Sequence, residues 1–129
     1  MEITVRPIGL IESEFKNTAE IPRQSIYAPE KQARLKLLDD YKDGLQGLTC
    51  GSKILIIFYF HQSTETPLLQ KPCQSDKITG VFSIRSPHRP NHIGISEVKI
   101  TKIENNTIYF TGVDMLDGTP VLDIKPVIS

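Results

Sequence analysis

Apolar positions divide the chain into short strand-like segments separated by polar, proline-bearing stretches. KILIIFYF (53–60) is apolar or aromatic at every position after Lys53, the pattern of a central strand buried on both faces. ITGVFSI (78–84), SEVKITKI (96–103), TIYFTGVDML (107–116) and PVLDIKPVI (120–128) are rich in β-branched and aromatic residues and read as further strands. ITVRPIGLI (3–11) carries Pro7 and reads as an edge or first strand. ARLKLLDDYKDGLQGL (33–48) begins as a strand and ends as a short helix closed by Gly44 or Gly47, or is helical throughout; periodicity does not separate the two.

The connections fit the same scheme. Residues 12–32 and 63–76 are polar loops with two prolines each, long enough to suggest function. Asn105-Asn106 suits the positive φ angles of a tight hairpin turn, and Asp117-Gly118 is an ordinary turn signal. Six or seven short strands with little helix predict an all-β domain, a small closed or nearly closed β-barrel, over residues 1–129.

Composition narrows the function classes little. The 129 residues are 39% apolar and 23% charged, as in ordinary globular domains, and fifteen basic side chains balance fifteen acidic ones. Net charge therefore points to neither nucleic acid nor membrane. Its distribution is uneven: six Lys/Arg against Asp76 and Glu97 between positions 71 and 102, then Glu104, Asp114, Asp117 and Asp123 against Lys125. Either the fold joins a basic rim to an acidic floor, or a solvated surface merely varies along the chain. Cys50 and Cys73 are the only cysteines, and the N-terminus lacks a secretory pattern; two free thiols in a reducing cytoplasm are expected, with one disulfide as the alternative. The longest apolar run, 54–60, is too short to span a bilayer as a helix.

The densest chemistry lies in RSPHRPNHIG (85–94). Pro87 and Pro90 stiffen this loop and drive Ser86 and Arg89 toward extended conformations, while Gly94 frees the backbone where the next strand begins. Arg85 and Arg89 offer forked donors for a carboxylate or phosphate, and Asn91 and the histidines add further polar groups. The competing reading is a structural turn whose arginines pair with the acids at 114–123. His88 and His92 are four apart, but Pro90 between them forbids a regular helix and no third ligand is suitably spaced, so no metal is expected. His61 and Gln62 end the most apolar strand and are either site residues or a polar strand terminus. No dinucleotide fingerprint, Walker loop, nucleophile elbow or paired C-x-x-C is present. The residues alone describe a rigid, donor-rich site for an anionic ligand on a small β domain.

Four segments in order, IPRQ (21–24), FYFHQ (58–62), GVFSIRSPHRPNHIGIS (80–96) and DMLDGTPVLDIKP (114–126), resemble the TsaA-like or TrmO family of tRNA methyltransferases. The chain departs from that family's pattern at TCGSK (49–53) and at His92, where proline is usual. The resemblance implies a β-barrel that binds S-adenosylmethionine without a Rossmann fold, acts as a cytoplasmic homodimer, and methylates N6 of threonylcarbamoyl-adenosine beside the tRNA anticodon. Cofactor contacts carried over from the family fall on Ser25, Ile26, Tyr27, His61, Gln62, Arg85, Ile95, Asp114, Met115, Leu116 and Asp117. Arg23, Arg89, Asn91 and Lys125 would face the substrate, with basic groups from both protomers. The acceptor nitrogen belongs to a urea-like group whose lone pair is delocalised, so a base should matter; His61, His88 and Asp114 are the candidates. The alternatives within the resemblance are a related methyltransferase acting on another substrate and a module that binds S-adenosylmethionine or RNA without catalysis.

Overall fold

The computed structural model describes residues 1–14, 32–72 and 76–128. Their strands are β1 (Gly9–Glu12), β2 (Gln32–Leu37), β3 (Lys53–Tyr59), β4 (Leu69–Gln70), β5 (Thr79–Gly80), β6 (Ile93–Glu104), β7 (Thr107–Thr111) and β8 (Pro120–Pro126). Six of them close into an antiparallel barrel in the order β1-β2-β7-β6-β3-β8, with β8 returning to β1; β4 and β5 pair as a small separate ribbon. No helix among the described residues is long and apolar enough to cross a membrane.

A period of two builds the interior. Leu35 and Leu37, Ile54, Ile56 and Phe58, Val98 and Ile100, Ile108 and Phe110, and Val121 point inward and are buried. Each such side chain contributes about 1.5–3 kcal/mol by leaving water. Arg34, Lys36, Lys53, Glu97 and Lys99 occupy the outward positions between them. Register shifts at Ile57/Phe58 and Ile100/Lys102 bend the strands enough to close so small a barrel.

The expected barrel is present, with local differences. The first strand starts at Gly9, beyond Pro7, rather than running through 3–11. β3 is buried on one face only; Leu55 and Ile57 are half-buried on the other, and Tyr59 is exposed. Residues 78–84 contain just the two residues of β5, because Val81–Ser83 turns into a 3-10 helix. β6 begins three residues earlier than its apolar run suggested, and β7 stops at Thr111, leaving 112–119 as a loop. In 33–48, strand β2 is followed by a 3-10 helix over Asp39–Leu45, so the strand-then-helix alternative holds. In the β6–β7 hairpin only Asn105 takes a positive φ, of 56°; Asn106 instead donates from Nδ2 to the Leu37 carbonyl at 2.7 Å.

Candidate functional site

β3 ends where β6 and β8 begin: Tyr59 pairs with Ile93, and Phe58 lies beside both Gly94 and Val121. At this end of the barrel three connections meet, namely 60–63 after β3, 84–92 before β6 and 112–119 before β8. They enclose a cavity of about 750 Å³. Gly94 is needed there for space, not for conformational freedom: a Cβ would stand 2.6 Å from the Phe58 ring and 2.7 Å from Phe60.

The loops are fixed by hydrogen bonds. Arg89 has extended backbone angles (φ −154°, ψ 160°), and its Nη1 donates back to the carbonyls of Ile84 at 2.9 Å and Ser86 at 3.3 Å. Asn91 and His92 follow with φ of 64° and 49°, the left-handed reversal that lets the chain enter β6. Asparagine tolerates that region better than most side chains. The segment after β3 is fastened to this loop at three points: Ser63 Oγ to His88 Nδ1 at 2.8 Å, Gln70 Nε2 to the His88 carbonyl, and His92 Nε2 to the Glu65 carbonyl at 2.9 Å. Opposite, Ser13 Oγ donates to the Met115 carbonyl at 2.8 Å, and Gly118 N donates to the Ile11 carbonyl at 2.7 Å.

His61, Gln62, Arg85, His88, Arg89, Ile95, Asp114, Met115 and Leu116, singled out from the sequence, all line this one cavity. Asp117 faces a separate cleft of about 340 Å³, where its Oδ1 accepts from Ser13 N at 3.0 Å. Asn91 is not among the lining residues, and Lys125, beside Leu55 and paired with Asp123 at 3.0 Å, lies toward the far end of the barrel. Arg23, Ser25, Ile26 and Tyr27 fall outside the described residues, as does Cys73; Cys50 is an exposed free thiol. His88 and His92 turn to different partners, and no three potential ligands among the described residues are grouped to hold a metal.

Basic and acidic segments do meet. Arg85 acts electrostatically on Asp114 across the cavity, and Lys102 pairs with Glu104 at 2.8 Å, whereas Asp123 pairs with Lys125 of its own segment. No hydrogen bond or ion pair joins the Arg85 guanidinium to another described residue. Asp114 is pushed up to about 6 by burial of its carboxyl. The Ser96 hydroxyl, its own backbone N–H and the Arg85 charge pull in the opposite direction without cancelling that effect. A carboxyl in this condition exchanges a proton near neutral pH, as a general base must.

The sequence gives no site role to several lining residues: the rings of Phe58, Phe60 and Phe82, together with Ser63. Phe82 is 81% exposed, at the cavity mouth. Ser96 sits at an inward position of β6, is 2% exposed, and donates to Asp114 Oδ1 at 2.7 Å. The available signal was a hydroxyl in register with Val98 and Ile100, since a polar group on a strand's buried face is the informative exception.

The geometry has close counterparts. The family described as tRNA-methyltransferase O N-terminal domain matches residues 10–129. A probable S-adenosyl-L-methionine-binding protein of Pyrococcus abyssi is 39% identical over 96% of this chain and 67% of its own length. The tRNA (adenine(37)-N6)-methyltransferase of Mus musculus is 41% identical over 98% of this chain and 31% of its own length. The crystal structure of TrmO from Pseudomonas aeruginosa superimposes with a TM-score of 0.82 at 39% identity, covering 99% of this chain and 57% of that one. The chain thus spans from about a third to two thirds of the length of these relatives. Matched from residue 10 to residue 129, and with the barrel superimposing on that of TrmO, the chain belongs to the tRNA-methyltransferase O N-terminal domain family.

Proposed function

We propose that this barrel is the catalytic unit of an S-adenosylmethionine-dependent methyltransferase acting on N6 of threonylcarbamoyl-adenosine beside the tRNA anticodon. The observation that carries the reading is the presence of Arg85 and Asp114 together in the lining of one aromatic-walled cavity. Its volume of about 750 Å³ lies within the range of small-molecule sites. The donor set fits the cofactor. Arg85 suits a carboxylate. The rings of Phe58, Phe60, Phe82 and His61 suit a sulfonium cation. Ile95 and Leu116 offer apolar faces for an adenine. The names of the Pyrococcus and mouse relatives support both the cofactor and the class of substrate.

When bound, S-adenosylmethionine supplies an electrophilic methyl group, and the electron pair of the broken carbon–sulfur bond stays on a neutral sulfur. The chain's own contribution is alignment and proton removal. The braced loop and the 112–119 connection hold their side chains in set directions, which is the main help available to a displacement reaction. The acceptor nitrogen sheds its proton to the Asp114 carboxylate, whose proton affinity is raised by burial to about 6 and whose oxygen is held by Ser96 at the cavity wall. His88, held by Ser63, and His61 border the same space and orient the substrate.

The functional species is a homodimer in this reading. Leu68, Leu69, Ile78 and Phe82 are each more than 60% exposed around the small β4–β5 ribbon beside the cavity mouth, an apolar surface suited to a second copy. Lys125, remote from the cavity of its own chain, would reach the substrate from the partner. The test is transfer of labelled methyl from S-adenosylmethionine to tRNA lacking the modification. Label on N6 of the threonylcarbamoyl-adenosine is expected. Binding of the cofactor without any transfer would reduce the protein to a sensor, and no binding at millimolar cofactor would end the proposal.

A further inference from the structure

We propose that Ser96 is a positioning residue of this site: its buried hydroxyl holds the Asp114 carboxyl in the cavity as a proton acceptor. The inference rests on the methyl-transfer reading above.

β6 alternates strictly between exposed and buried positions from Ile93 to Ile100, and its buried set is Gly94, Ser96, Val98 and Ile100. An aliphatic side chain at position 96 would continue that set. A hydroxyl placed there loses its water and needs a partner. It finds one, Asp114 Oδ1 at 2.7 Å, eighteen residues along the chain on a different connection. The bond therefore ties the barrel's inner wall to the loop that carries the carboxyl. A serine hydroxyl has one hydrogen to give, and a carboxylate only accepts, so donation to Asp114 favours the ionised form.

Other groups around Asp114 cannot take over this role. Arg85, on the loop before β6, acts through charge, and its side chain is exposed. His61 and His88 border the cavity from the two other connections, and Arg89 directs Nη1 into its own loop. Burial drives the carboxyl toward its neutral form, in which it cannot receive a proton from the acceptor nitrogen. Ser96 is the buried side chain that opposes this drive, alongside the backbone N–H of Asp114 and the Arg85 charge, and it exerts the largest of the three effects. During transfer the proton passes from the acceptor N–H to Asp114, and Ser96 keeps its own hydrogen throughout.

The experiment follows the carboxyl directly. In protein labelled with carbon-13 at aspartate side chains and free of cofactor, the Asp114 resonance is titrated in the wild type, Ser96→Ala, Ser96→Thr and Ser96→Cys. Ser96→Ala is expected to raise the midpoint by about one pH unit, as for a lost bond to a charged group. Ser96→Thr should restore it, and Ser96→Cys, with its weak S–H donor, should fall between. The acid limb of kcat/KM for tRNA methylation should move by the same amount, lowering activity roughly tenfold below the limb. A midpoint unmoved in folded Ser96→Ala or Ser96→Cys overturns the inference while leaving methyl transfer intact. Full transfer by Asp114→Asn overturns it from the other side, by removing the acid–base role it serves, and the titration distinguishes the two failures.

Discussion

Ser63 Oγ lies 2.8 Å from His88 Nδ1, joining the segment that leaves β3 to a loop twenty-five residues away. His92 repeats the arrangement: the Glu65 carbonyl can only accept, so His92 donates from Nε2. These bonds and that of Gln70 make two irregular segments into one wall of the cavity. A neutral hydrogen bond of this kind contributes about 1 kcal/mol net. His92→Phe should preserve the edge-to-face contact with Tyr59 while deleting the donor. Combined with Ser63→Ala, it should weaken S-adenosylmethionine binding about three- to tenfold by loosening a preformed wall. Calorimetry measures the affinity, and faster amide exchange over 85–92 would locate the cause. Unchanged exchange would mean that prolines, not histidines, hold the loop.

The two arginines of the loop should separate in their effects. Arg85 is exposed, faces the cavity and makes no bond to another described side chain, so its loss should appear in ligand binding. Arg85→Ala is expected to weaken S-adenosylmethionine binding by about 1.5–3 kcal/mol with little change in Tm. Arg89 holds the Ile84 and Ser86 carbonyls, so Arg89→Ala should lower Tm by several degrees as well as reducing the salt dependence of tRNA binding. Arg89→Lys keeps charge without the fork and should recover the salt dependence more fully than the Tm. Identical melting curves for Arg85→Ala and Arg89→Ala would contradict this division.

The barrel was legible because its signal is repetitive. Leu35 and Leu37, Ile54 and Ile56, and Ile108 and Phe110 state the same period of two on strand after strand. What misled was local. Leu55 and Ile57 are apolar on the outer face, so β3 read as buried on both sides; outward residues of a small barrel need not be polar. Val81 and Phe82 have strand propensity, yet the chain turns there to bring Arg85 to the barrel end, a tertiary demand that propensity does not contain. At the site, most described residues with candidate chemistry line one cavity, but Asn91, Asp117 and Lys125 do not, because adjacency in a motif does not fix the direction of a side chain. Within its motif Ser96 carries no chemical signal of its own. Its meaning required the register that places it beside Asp114.

Gly94 gives a steric test of that geometry. Its φ is negative, so alanine meets no backbone penalty, and any effect must come from the rings of Phe58 and Phe60. Those rings meet edge to face with centroids 5.0 Å apart and also line the cavity. Gly94→Ala should push them apart, destabilising the fold by about 1–3 kcal/mol as an overpacked core does. Cofactor affinity should fall with it. Denaturant unfolding measures the first effect and calorimetry the second. A stable variant with normal affinity would show that the rings yield at no cost.

Asp114 should impose a conflict between stability and function. Its folded-state proton affinity is raised, from 3.8 to about 6, so between those values the folded protein holds more protons than the unfolded chain. Stability therefore falls as pH rises through this window, and above about 6 the buried charge costs on the order of 2–3 kcal/mol. Asn keeps an oxygen to accept from Ser96 but cannot ionise. Asp114→Asn should then unfold at higher denaturant than the wild type at pH 7.5, with the advantage shrinking to nothing near pH 4. The same variant should lose methyl transfer by roughly 10²–10⁴-fold, the usual contribution of a general base. Denaturant melts across pH 4–8 beside single-turnover transfer rates give both quantities on one protein. A variant less stable than the wild type at pH 7.5 would mean that Arg85 and Ser96 fully compensate the buried charge, and that the carboxylate belongs to the structure as well as to the chemistry.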